Sequence, residues 1–110
     1  RSSDLIIYNV TLVIDSDVRD EWLKWMKEKH IPDVMATGKF TDCKMSRILA
    51  EEEGGKSYSI QYLCPDIETY NNYQSENAVQ LQKEHNQKFG GKFAAFRTLL
   101  DVVHQHKNKW

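Results

Sequence analysis

Residues 5–30 read LIIYNVTLVIDSDVRDEWLKWMKEKH, and within them the hydrophobic period changes from two to between three and four. Leu5–Ile14 is rich in β-branched residues, which favour a strand. It would place Ile6, Tyr8, Val10, Leu12 and Ile14 on one face and Ile7, Asn9, Thr11 and Val13 on the other. Asp15-Ser16-Asp17 offers N-cap oxygens. Val18, Trp22, Trp25 and Met26 then recur at helical spacing. Pro32 disfavours helix at Ile31, so the helix is expected to end near Lys29 or His30, with Asp33–Lys39 as a connector.

Further along, Phe40–Ala50 reads as a strand with partial alternation, and Glu51–Lys56 contains the hairpin glycines Gly54-Gly55. Ser57–Cys64 alternates cleanly. Pro65-Asp66 stops that strand and caps a second helix running to about Phe89, where Gly90-Gly91 ends it. Lys92–Val103 is the last strand. The order β-α-β-β-α-β is the ferredoxin-like arrangement, an α+β fold with a four-stranded antiparallel sheet and two helices on one face. Residues 4–103 form one expected domain, 104–110 a polar tail, and Arg1-Ser2-Ser3 are set aside from the fold.

The 110 residues are enough for a core without staples, and 40% hydrophobic and 28% charged residues are ordinary for a globular chain. Fifteen basic against sixteen acidic residues leave a net charge of −1, with no general pull toward nucleic acid or anionic membrane. Two cysteines, Cys43 and Cys64, are too few for a disulfide scaffold, and no signal peptide is visible, so free thiols and the cytoplasm are expected. No apolar stretch is long enough to cross a membrane.

Two helices cover one side of such a sheet. The last strand nevertheless carries apolar residues on both faces: Phe93, Ala95 and Leu99 on one, and Ala94, Phe96, Leu100 and Val102 on the other. A bare face of this kind is a sticky patch, and a second copy packed through the open sheet would cover it, giving a homodimer.

His30 continues the Trp22–Met26 spacing, as either a C-cap imidazole or a pocket base. His85, between Leu81 and Phe89, reads as a core or boundary histidine. Arg97 sits among apolar strand residues and needs a partner, either a carboxylate across a dimer or an anionic ligand. His104 and His106 make an incomplete metal site; no metal or cofactor motif is present. The strand order also permits an RNA-recognition module. Lys56–Tyr62 lacks the glycine of that signature, has Ile60 where a second stacking ring belongs, and follows three glutamates, so nucleic acid is not expected.

The strings IIYNVTLVI (6–14), EWLKWMKEKHIPDVMATGKF (21–40), EEEGGKSYSIQY (51–62) and KFGGKFAAFRTLL (88–100) carry a family resemblance. They resemble the uncharacterised bacterial family DUF4286 over essentially the whole chain, and that family is similar in fold to the dimeric α/β-barrel proteins. The resemblance implies fold and dimer and carries over no activity. Its wider relatives include cofactor-independent monooxygenases, haem-degrading enzymes, isomerases and ligand-binding stress proteins, whose active-site motifs are not recognisable here.

The expected function is therefore binding of a small aromatic or anionic molecule in a cleft between helices and sheet. Trp25, Phe40, Tyr62 and Arg97 are its candidate lining, and His30 is the candidate acid–base residue. The competing reading is a structural or protein-interaction module whose aromatics fill the core completely.

Overall fold

The structure is a computed structural model and describes residues 5–50 and 55–109. Strands β1 (Ile6–Asp15), β2 (Asp42–Arg47), β3 (Gly55–Cys64) and β4 (Phe93–Asp101) form one antiparallel sheet in the order β2-β3-β1-β4. Register pairs Tyr8 with Tyr62 and Leu99, and Val10 with Ile60 and Arg97. The alternate residues Ile6, Tyr8, Leu12 and Ile14 are buried beneath the helices, as the period-two pattern requires. The two helical connections lie on one face, and the fold is ferredoxin-like.

Each helical connection contains a wide turn. The first runs through α1 (Arg19–Trp25), a wide turn at Met26–His30, and α2 (Ile31–Met35). Pro32 therefore does not end the helix, contrary to the expectation. In the wide turn the Ile31 N–H bonds to the Met26 carbonyl, five residues back, and Pro32 falls in the first turn of α2, where a missing N–H costs little. The chain reverses only at Thr37-Gly38, with Gly38 at φ 76°. The second connection comprises α3 (Ile67–Tyr73), a wide turn at Gln74–Ala78, and α4 (Val79–Phe89).

Other local expectations fare unevenly. Asp66 caps α3, its carboxylate accepting from the Thr69 N–H at 2.7 Å. Asp15 makes no such cap; β1 extends through it, a single 3-10 turn at Ser16–Val18 precedes α1, and Asp17 pairs with Lys92 at 3.1 Å. β2 is shorter than expected, because Phe40 leaves the sheet to fill the core beside Tyr8, Tyr62 and Tyr73. The tip of the β2–β3 hairpin, residues 51–54, lies outside the described residues.

The open face is mixed. Its centre is polar, with Ser59 Oγ donating to Asn9 Oδ1 at 2.6 Å and Asn9 Nδ2 donating to Thr11 Oγ1 at 3.0 Å. Val13, Phe96 and Leu100 surround that centre and are exposed, Phe96 by 63%.

Candidate functional site

A cavity of about 50 Å³ opens between the helices and the sheet. Its floor is Tyr8, Val10, Leu12, Ile60, Tyr62 and Ala95, each on the helix-facing side of its strand. Met26, His30 and Val34 form one wall, and Tyr73, Leu81 and His85 the other. Residues four apart drift about 40° around an α-helix. The wide turn at Met26–His30 rotates less per residue, which keeps Met26, His30 and Val34 closer to one line. Asn86 and Arg97, both exposed, mark the mouth.

Of the residues expected at a site, His30, Tyr62 and Arg97 meet at this cavity. Trp25 and Phe40 stand behind its wall. The Trp25 ring stacks on His30 at 5.2 Å and lies edge-on to Phe89 at 5.5 Å, while Phe40 is buried against the tyrosines. His30 is no C-cap, since the helix continues to Met35.

His85 was legible only as an apolar-stripe residue. Its Nε2 accepts from the buried Trp22 Nε1–H at 2.9 Å, and its ring meets Phe93 edge-on at 4.3 Å. It lies 5.7 Å from the His30 ring. No spacing rule could find this pair, because His30 and His85 belong to different helices.

Burial pushes the His85 imidazolium down to about 4, with the nearby His30 and Arg97 adding to the fall. Burial also lowers His30, against the pull of Asp33 and Glu84, and Arg97 adds to the lowering. Burial raises the Tyr62 and Tyr73 phenols well above their ordinary value. At neutral pH the cavity therefore presents two neutral imidazoles, neutral phenols and one guanidinium.

Arg97 Nε donates to Tyr8 Oη at 3.1 Å, and among the described residues no carboxylate pairs with it. None of the lining residues is acidic. His30 Nδ1 is buried without a hydrogen-bond partner among the described residues.

The cysteines have no comparable setting. Burial raises the Cys43 thiol to about 11 and also raises the Cys64 thiol, whose Sγ lies within hydrogen-bond distance of the Lys39 and Asp66 carbonyls, so both are protonated and poor nucleophiles at neutral pH. Among the described residues, no three His, Cys, Asp or Glu side chains converge as a metal site would require, and no helix is long and apolar enough to cross a membrane. His104 and His106 stack in the tail at 6.3 Å, away from the cavity.

The model of a family described as Domain of unknown function (DUF4286) matches residues 5–103. No curated protein matches the chain in sequence. Among solved structures, a dimeric ferredoxin-like protein from an uncultured marine organism is similar with TM-score 0.65 at 12% identity, covering 94% of this chain and 99% of that one. SnoaB, a cofactor-independent oxygenase from Streptomyces nogalater, is similar with TM-score 0.65 at 10% identity, covering 91% and 95%. A monooxygenase from Streptomyces coelicolor, in complex with nanaomycin D, is similar with TM-score 0.64 at 8% identity, covering 99% and 96%. Likeness at these identities carries the fold.

Proposed function

The chain belongs to the DUF4286 family, a domain of unknown function, and from its cleft we propose that it binds a small organic molecule with an anionic or acidic head. The observation that carries this reading is Arg97, a guanidinium that among the described residues has no carboxylate partner, at the mouth of a largely apolar cavity with no acid among its described lining residues. Such a setting attracts an oxyanion and repels a cation.

The cavity sets the form of the ligand. Its 50 Å³ holds a few waters, whereas enclosing a benzene ring takes about 150 Å³. The polar head enters between His30, His85 and Arg97, and an aromatic body stays at the mouth near Asn86. If the site performs chemistry, His30 is its acid–base group, because no described residue engages either of its nitrogens.

We propose further that two copies pair through the open sheet face. The exposed Val13, Phe96 and Leu100 support this, and two similar solved structures are described as dimeric. The RNA reading loses support from orientation: positions 58 and 60, which it needs on the open face, are Tyr58 and Ile60, both buried under the helices. The free cysteines suit a cytoplasmic setting.

The test is thermal shift and calorimetry with benzoate and salicylate as anionic probes, benzamide as the neutral control and benzylamine as the cationic one. We expect the anions to raise the melting temperature and benzylamine to leave it unchanged. Arg97→Met should weaken benzoate binding roughly 10- to 100-fold, the worth of one charge-assisted hydrogen bond. Equal binding by Arg97→Met, or preference for benzylamine, would overturn the reading. A filled core with no ligand response is the outcome that the interaction-module reading predicts.

A further inference from the structure

The two imidazoles of the cavity have different hydrogen-bonding states. The Trp22 Nε1–H donates to His85 Nε2 at 2.9 Å within the core, where Trp22 is fully buried and His85 is 7% exposed. A neutral imidazole that accepts at one nitrogen carries its hydrogen on the other. This bond therefore assigns the His85 proton to Nδ1. It also opposes a second proton on Nε2, which would set two N–H groups against each other.

Among the described residues His85 Nδ1 has no hydrogen-bond partner, and it is not among the atoms sealed from solvent-sized space. The ring to which it belongs lines the cavity. His30 lies edge-on to it, 5.7 Å between ring centres, with neither nitrogen held by a described residue. One imidazole is thus committed as a donor, and its neighbour is free to change protonation.

We propose that Trp22 holds His85 as a fixed Nδ1–H donor to a ligand oxygen, while His30 takes the proton of that ligand. The site on this view takes weak oxygen acids, phenols or enols, as well as preformed oxyanions, and selects them over neutral ligands that carry no acidic O–H. This rests on the reading of the cleft as a ligand site. In the step, the ligand O–H bond breaks, an N–H bond forms on His30, and the electron pair stays on the ligand oxygen. That oxygen then accepts from His85 Nδ1–H and the Arg97 guanidinium.

The groups around His30 are compatible with this transfer. Burial opposes its cation most, with Arg97 on β4 adding to that, while Asp33 on α2 and Glu84 on α4 favour it, so at neutral pH the free protein keeps His30 neutral and able to accept. A bound oxyanion supplies the compensating charge. Trp22 and His85 are positioning residues, and His30 is the group that exchanges the proton.

The first arm of the test needs no ligand. Long-range ¹H–¹⁵N correlation on ¹⁵N-histidine-labelled protein should show His85 as the Nδ1–H tautomer from pH 5.5 to 8.5, with Trp22→Phe converting it to a mixture. Should Trp22→Phe fail to fold, the wild-type spectrum decides alone. An Nε2–H tautomer for wild-type His85, or a His85 that titrates together with His30 near neutrality, would overturn the assignment.

The second arm titrates 4-nitrophenol at pH 6.5, where the free phenol is mostly neutral. Binding should produce the yellow phenolate band and protonate His30 in the ¹⁵N spectrum. His30→Gln should bind the probe without the band. Binding to wild type without phenolate, or protonation of His85 instead, would overturn the proton transfer. Absence of any binding would defeat the cleft reading and the transfer with it, while the tautomer assignment would still stand or fall on the first arm.

Discussion

Trp22 and His85 join two helices through a single buried hydrogen bond, and this gives the residue pair a measurable pH signature. His85 falls from an ordinary 6.5 to about 4 in the folded protein. Between those values the unfolded chain binds the proton that the folded one refuses, so stability is fully present above pH 6.5 and declines as pH falls toward 4. At about 1.4 kcal/mol per unit, the loss is about 3 kcal/mol. His30, lowered by burial, adds in the same direction. Urea denaturation from pH 7 to pH 4.5 should show the decline. His85→Gln, which retains an acceptor for Trp22 and does not titrate, should flatten it, whereas an unchanged slope would place the effect elsewhere. Residue types at intervals made His30, Tyr62 and Arg97 visible as candidates, because each interrupts or polarises an apolar row. His85 was hidden by the same logic, since it sits in step with Leu81 and Phe89 and reveals its role only once Trp22 arrives from the other helix.

At the scale of elements, alternation in Leu5–Ile14 and Ser57–Cys64 specified the strands and their buried faces, because one side of the sheet must be apolar and the period of a strand is two. The ends of helices were less legible. Pro32 marks a boundary in most chains, but here the wide turn at Met26–His30 absorbs the misfit and carries the helix to Met35, bringing Val34 onto the cavity wall. The apolar spacing of Val18, Trp22, Trp25 and Met26 does not announce a wide turn, because one five-back hydrogen bond barely changes the period of the face. The glycines at the end of α4 behaved as their chemistry requires, for two different reasons. Gly91 has φ 81° with nothing within 4 Å of a would-be Cβ, so Gly91→Ala should cost about 1–2 kcal/mol from backbone strain alone, and Gly91→Asn less. At Gly90 a Cβ would stand 2.6 Å from the Asn86 carbonyl oxygen, a steric conflict that Asn would not relieve. Denaturation midpoints of the Ala and Asn pairs at the two positions check this. Similar rescue by Asn at both would contradict it.

For the whole molecule, the two faces of the sheet carry the two functions proposed. The helix side encloses the cleft, and the open side presents Val13, Phe96 and Leu100 around a polar centre of Asn9, Thr11 and Ser59. The surplus of apolar residues on β4 was legible from its sequence, because a strand covered on one face has no need of Phe96 and Leu100 on the other. The partner itself is not encoded in one chain's pattern. Phe96→Asp should convert a dimer to a monomer in sedimentation equilibrium while the far-ultraviolet spectrum stays unchanged. A wild-type monomer at micromolar concentration would remove the dimer. The cleft is tested most directly by mapping benzoate onto the protein with ¹H–¹⁵N spectra. Saturable shifts at the Arg97 Nε–H and at the His30 and His85 rings, one site per chain and absent in Arg97→Met, are the predicted result; shifts that never saturate, or that gather on the open face around Phe96, would contradict it.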